Sequence, residues 1–394
     1  LVFVMFGCVQ GITQGFSISM AKRFGSHDEE ELKKDMGGSL LLCLGLSIVF
    51  TVTGVILCKP VLARLHTPPD MIGMAQIYLR TLYGGVCISF CYNILASFLR
   101  AAGDSRTPLI AVSLAAVCNI VLDFLFVVIL HLGVFGAAFA TLLSQMLSAV
   151  CCLWAVRTGG FALPGRADFR IRPERLCQLL CLGLPMGLQN VITGLGGVAV
   201  QSVINSFGTI FVAGFTAANK LYGLLETAAV SYSYAVVSYT GQNAGAGDYE
   251  RVRKGLGAAC VLGVVTSLFM SFVMITFGDP ILRCFLSGEE KVLMQTLEIG
   301  CSFLRILAGF FWILYLLYIV RACVQGMGNT VLPMCSSFLQ LFMRVGCAFF
   351  LTKRIGQTGV FWGEISAWLL ADVFLCLCLL WVYRRQAMIQ EEQQ

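Results

Sequence analysis

Charge is what this chain has least of. Asp, Glu, Lys and Arg supply 12% of its 394 residues, about half the share of an ordinary soluble domain. A water-soluble protein of this length needs far more polar surface, so a soluble globular fold is excluded. Metal and redox signatures are missing too. The 18 cysteines include no CxxC pair, and most sit inside apolar runs, as Cys118, Cys151, Cys152, Cys376 and Cys378 do. The three histidines, His27, His66 and His131, are scattered. Such cysteines read as small apolar packing residues, and neither a disulfide framework nor a metal centre is expected. No HExxH, GxSxG or P-loop occurs, so no enzyme activity and no ATP-driven pump is expected. The first residues, LVFVMFGCVQG, begin without an initiator Met and carry no basic n-region. They read as the middle of a helix, not as a signal peptide.

Long apolar runs are abundant instead. Hydrophobic residues make up 58% of the chain. Residues 109–130 are apolar apart from Ser113, Asn119 and Asp123. As a helix this run is about 33 Å long, enough to cross a hydrocarbon core of about 30 Å. Unbroken runs of this kind indicate an all-α integral membrane protein and not a barrel. Eleven spans are expected, at 1–20, 37–58, 71–99, 108–130, 136–156, 176–205, 209–239, 255–277, 293–323, 333–352 and 359–383. Turn signals separate them, among them HTPPD at 66–70 and GDSRTP at 103–108. The 41 glycines suit close helix packing in lipid. One set of alternate loops carries 16 Lys and Arg and the opposite set 6. The richer set is expected to be cytoplasmic, with the C-terminus on the same side. The net charge of +6 then reflects topology and calls for no nucleic-acid partner. The charged stretch SHDEEELKK at 26–34 reads as a solvated amphipathic helix in a cytoplasmic loop.

The chain repeats itself. LRAAGDSRTP at 99–108 returns as VQGMGNTVLP at 324–333, and FGSHDEEELKK at 24–34 returns as AGAGDYERVRK at 244–254. Matched segments fall on the same membrane side, which predicts two halves related by an axis along the membrane normal. The expected layout is an N-terminal bundle at 1–157, a cytoplasmic linker at 158–175, a C-terminal bundle at 176–384 and a cytoplasmic tail at 385–394. The second half has two spans before its AGAGDYERVRK loop and the first has one short span. About 45 residues and one helix are therefore expected upstream, giving twelve helices, six per half.

LRAAGDSRTPLI, the NxxxD of CNIVLD, GVFGAAFAT at 133–141, CLGLPMGLQNVI at 181–192 and GQNAGAGDYERVRK at 241–254, in this order and on a doubled plan, resemble the multidrug and toxic compound extrusion (MATE) transporters. The second half, with GVFWGEISAWLLAD at 359–372, is more similar to the DinF-type and related branches than to NorM. The resemblance implies a pair of six-helix bundles around a central cavity. It implies alternating access, with organic cations expelled across the plasma membrane (the inner membrane of a cell that has two) in exchange for H⁺ or Na⁺. It implies no cofactor, and a monomer whose partners are small organic cations and membrane lipids.

The residues themselves point to one site. Asn119 and Asp123 are four apart and share a helix face. Thr141 and Tyr78 reach a similar depth from neighbouring spans. A carboxylate at that depth must be protonated, paired or facing a wet cavity, and these oxygen donors suit a proton or a hard cation such as Na⁺. The matching positions in the MATE family are described as the cation site of the N-terminal bundle, which also uses an Asp on the first helix. Asp123 is expected to change protonation during the cycle; a fixed hydrogen-bonded staple with Asn119 and Thr141 is the alternative. In the second half the repeat replaces Asn119 by Arg344, Asp123 by Ala348, Tyr78 by Phe303 and Thr141 by Glu364. Arg344 and Glu364 are expected to neutralise each other. Asp372, Glu226, Gln189 and Asn190 are further candidates for a ligand-facing cavity. Where NorM carries acids, this chain has Thr193 and an acid-free run at 303–323, so a NorM-like sodium site is not expected there. A flippase for lipid-linked oligosaccharides, on a related fold, is the competing function.

Overall fold

A computed structural model describes residues 2–64, 68–161, 163–170, 172–286 and 289–393. Among them the secondary structure is helical without a strand. In chain order the helices are α1 (Val2–Gly25), α2 (Glu29–Arg64), α3 (Pro69–Gly84), α4 (Val86–Ala101), α5 (Arg106–Asp123), α6 (Gly133–Thr158), α7 (Pro173–Asn205), α8 (Thr209–Gly245), α9 (Tyr249–Phe285), α10 (Glu290–Gly326), α11 (Val331–Phe350), the single turn α12 (Thr352–Ile355) and α13 (Thr358–Gln393). A π-helical segment, Phe124–Ile129, prolongs α5, and a 3₁₀ turn, Arg166–Phe169, precedes α7.

A helix covers every expected span. The span at 71–99 is two helices, α3 and α4, bent by 48° at Gly85. Among the described residues nine helices are long and apolar enough to cross a membrane, and the bent pair makes a tenth. The long helix α8 is not among them, because Asn219, Lys220, Glu226 and Thr227 interrupt its apolar sequence. The charged stretch at 26–34 is not a separate loop helix: from Glu29 onward it forms the first turns of α2. The expected tail continues as helix to Gln393. His66 and Thr67 of the HTPPD turn lie outside the described residues.

The duplication is visible at the backbone. Gly103 and Gly328 have φ of 92° and 93°, left-handed values that glycine adopts without steric cost. After each, an Asx residue caps the next helix: Asp104 Oδ1 accepts from the Thr107 amide at 3.0 Å, and Asn329 Oδ1 from the Leu332 amide at 3.1 Å. The other repeat pair behaves alike. Asp28 Oδ1 accepts from the Glu31 amide at 3.1 Å and Asp248 Oδ1 from the Arg251 amide at 2.8 Å.

Two compact units divide the chain. One comprises Leu1–Gly187 with Gly245–Gly247; the other comprises Leu188–Ala244 with Asp248–Gln394. The core of the first gathers Ile12, Phe16, Phe90, Phe98 and Leu142. Within it α1 and the start of α7 touch backbone to backbone: a Cβ on Gly15 would lie 2.5 Å from the Cα of Gly183. An ion cluster joins the same two helices to α2. Arg175 pairs with Asp35 at 2.9 Å and with Glu31, and Ser19 donates to Asp35 at 2.6 Å. The core of the second unit is aromatic, with Phe303 and Phe361 edge to face at 5.1 Å and Tyr222 stacked on Trp368 at 6.2 Å.

Candidate functional site

In the first unit α1, α4, α5 and α6 line an open cavity of about 320 Å³ whose polar walls include Gln10, Asn93, Asn119, Thr141 and Gln145. Each is an isolated polar side chain in an apolar helix, so the folding that buries the apolar faces gathers them together. Much of the wall is internally bonded. Ser89 donates to Gln145 Oε1 at 2.5 Å, and Asn93 to the Ser89 carbonyl at 2.8 Å. Thr141 donates to the Ala137 carbonyl of its own helix at 3.0 Å, which leaves its oxygen lone pairs as acceptors.

Asn119 and Asp123 are less satisfied. Asn119 Nδ2 and Asp123 Oδ1 are buried, and neither has a hydrogen-bond partner among the described residues. The staple of Asp123 on Asn119 and Thr141 is therefore not formed. Asp123 ends the α-helical part of α5, one turn beyond Asn119, at the junction with the π-helical segment. Such segments widen a helix by one residue and often mark functional sites. Asp123 itself is not among the residues lining the cavity. Tyr78, on α3, packs half-buried against the apolar core and does not line the cavity either. The structure thus brings Asn119 and Thr141 into one cavity, sets Asp123 a turn away, and leaves Tyr78 apart. Gln10, Asn93 and Gln145 were legible as polar residues in apolar runs; a search weighted toward charge passes over neutral amides.

At the matching positions the second unit carries an ion pair. Arg344 Nη2 meets Glu364 Oε2 at 2.7 Å, with both side chains 15% exposed. This is the neutralising contact expected from the repeat. Glu226 accepts from Tyr318 at 3.0 Å. Lys220 is exposed where Glu226 is half-buried, so the two do not share a face. Gln189 is buried and accepts from Gln325 at 3.1 Å. Asn190 is half-buried and has a partner of its own. Asp372 is half-buried, with Oδ1 unpartnered. Sequence reasoning missed Arg321, buried on α10 with its guanidinium 5.7 Å from the Tyr318 ring centre. It lies at the end of an expected span, where a basic residue passes for a loop flank. No cluster of three His, Cys, Asp or Glu suited to a metal occurs among the described residues.

The sequence profile of the MatE family matches residues 1–125 and 185–350. Two Bacillus subtilis (strain 168) proteins are similar over nearly the whole chain. The probable multidrug resistance protein YpnP is 28% identical over 364 residues, 91% of this chain and 80% of that protein. The probable multidrug resistance protein YoeA is 27% identical, over 93% of this chain and 81% of that protein. The fold matches a crystal structure of MATE in complex with MaL6, with a TM-score of 0.90 over 99% of this chain and 87% of that one, at 24% identity.

Proposed function

The chain belongs to the MatE family, and from that premise we propose that it is a secondary active exporter. It expels organic cations and drugs across the plasma membrane in exchange for H⁺ or Na⁺. It works as a monomer by alternating access, without a cofactor, and its C-terminus is cytoplasmic. The observation that carries the reading is the contrast between the two units at the repeat positions. In the second, Arg344 and Glu364 form an ion pair there. In the first, the one carboxylate of the Asn119–Asp123 turn keeps a buried oxygen without a donor.

That difference has a mechanistic consequence. In this cycle the carboxylate binds a proton or Na⁺ reversibly, and Asn119, one turn before it on α5, and Thr141 on α6 are the candidate neutral oxygen ligands. Occupancy changes the charge inside the first unit. A state that exposes Asp123 to water favours the ionised form, and a state that seals it favours the neutralised one. A gradient of the ion thereby biases the cycle toward export. The test is uptake of a fluorescent organic cation into inverted vesicles under an imposed pH gradient and, separately, a sodium gradient. Uptake that follows one of the two identifies the ion. Folded protein with no uptake under either contradicts the proposal and favours the lipid-linked oligosaccharide flippase.

A further inference from the structure

The second unit holds a guanidinium edge that its ion-pair network leaves unused. Arg321 is 6% exposed, five residues before the end of α10 at Gly326, about 7 Å along the axis. Its Nε and Nη2 are both buried, and neither has a hydrogen-bond partner among the described residues. These two atoms form one edge of the guanidinium. Their N–H bonds run nearly parallel and match the two oxygens of a carboxylate or phosphate.

The surrounding acceptors are mostly engaged. Glu226, within electrostatic reach of Arg321, already accepts from Tyr318 at 3.0 Å. Glu364 is held by Arg344. Gln325, one turn on from Arg321, donates to Gln189. Asp372, on the packed neighbour α13, also lies within electrostatic reach of Arg321, yet the two form no ion pair, and Asp372 Oδ1 is buried without a donor. An Arg edge and a carboxylate oxygen are thus left over on adjacent helices, each lacking the complement of the other. A buried cation and a buried anion held apart in this way are both costly. One molecule carrying an oxyanion and a donor would satisfy both.

We propose that Arg321 and Asp372 form a subsite for amphoteric organic ligands, with a carboxylate or phosphate on the Nε–Nη2 edge and an ammonium group on Asp372. The inference rests on the transporter reading only for the premise that the chain binds small organic cargo. It adds the place in the second unit where a negative group of the cargo is held.

The test measures binding by calorimetry to the purified protein in lipid nanodiscs. The probes are 4-(aminomethyl)benzoate, benzylamine, benzoate and inorganic phosphate. The amphoteric probe is expected to bind wild type about tenfold or more tighter than benzylamine or benzoate, the worth of one charge-assisted hydrogen-bonded pair. Arg321→Gln should abolish that preference while benzylamine binds at least as tightly as to wild type. Arg321→Lys keeps the charge but not the edge; it should lose most of the preference and decides the matter if Arg321→Gln does not fold. Asp372→Asn should weaken both amine probes. Inorganic phosphate binding that is lost in both Arg321 variants would assign the edge to phosphates as well as carboxylates. No preference for the amphoteric probe, or a preference that survives in both Arg321 variants, overturns the subsite and leaves Arg321 and Asp372 as counterions of each other in a second conformation. Benzylamine binding and gradient-driven uptake that persist in that case show that the transporter reading stands while the subsite fails.

Discussion

At the scale of single residues, the two halves of one duplicated sequence have settled the same buried positions in different ways. Asn119 and Thr141 line a cavity, while their repeat counterparts Arg344 and Glu364 form an ion pair at 2.7 Å. Truncating one partner strands the other. Arg344→Ala is expected to cost about 3–5 kcal/mol, read as a fall in the unfolding temperature of the solubilised protein. Replacing both residues by Met should recover most of the loss. A single variant as stable as wild type would show that the pair contributes nothing to the fold. Asp104 gives a pH-dependent case outside the membrane. Partial burial would raise its carboxyl from the ordinary 3.8, but hydrogen bonds from the Thr107 side chain and backbone and the Arg106 backbone, with the Arg106 charge, outweigh this and hold it lower. A depressed pKa in the folded state adds stability above the unfolded value, and that stability is lost as the pH falls through the folded one. Asp104→Ala should therefore cost about 1 kcal/mol at pH 7 and at pH 5, with the gap to wild type closing below about pH 4. Asp104→Asn, which copies the cap at Asn329, should keep the stability and lose the pH dependence.

Among the elements, α1 packs backbone to backbone on the start of α7. Gly11 and Gly15 on α1 face Gly183 and Gly187 on α7, and a Cβ on Gly11 would lie 2.4 Å from the Met186 carbonyl oxygen. Gly15→Val should force the helices apart and cost about 2 kcal/mol or more, read as a lower unfolding temperature and less monodisperse protein. Gly45 has nothing within 4 Å, so Gly45→Ala should be neutral or stabilising by about 0.5–1 kcal/mol. Equal losses at the two positions would argue against close packing there. The helices themselves were legible because unbroken apolar runs leave the backbone no alternative in lipid. The duplication was legible because the turns need specific chemistry: a left-handed residue and an Asx cap recur at Gly103–Asp104 and Gly328–Asn329. Apolar periodicity cannot foresee a break inside a continuous run, which is why the bend at Gly85 was missed. Nor does sequence distance reveal which loop charges meet. Glu31 belongs to the stretch that read as solvated, yet Arg175 binds it together with Asp35. The site was half legible: isolated charges such as Asp123 stand out in hydrocarbon, while neutral amides and an arginine at the end of a span do not.

For the molecule as a whole, the central claim is that an ion gradient drives export through Asp123. The most direct measurement compares wild type with Asp123→Asn in the inverted-vesicle assay, under the gradient that drives wild-type uptake. Asparagine preserves size and polarity but cannot exchange a proton or carry a charge. The account predicts folded Asp123→Asn protein whose gradient-driven uptake falls to the level of empty vesicles, with equilibrium binding of the fluorescent cation retained. Asp123→Asn protein that still concentrates the cation as wild type does would contradict it and place the coupling elsewhere.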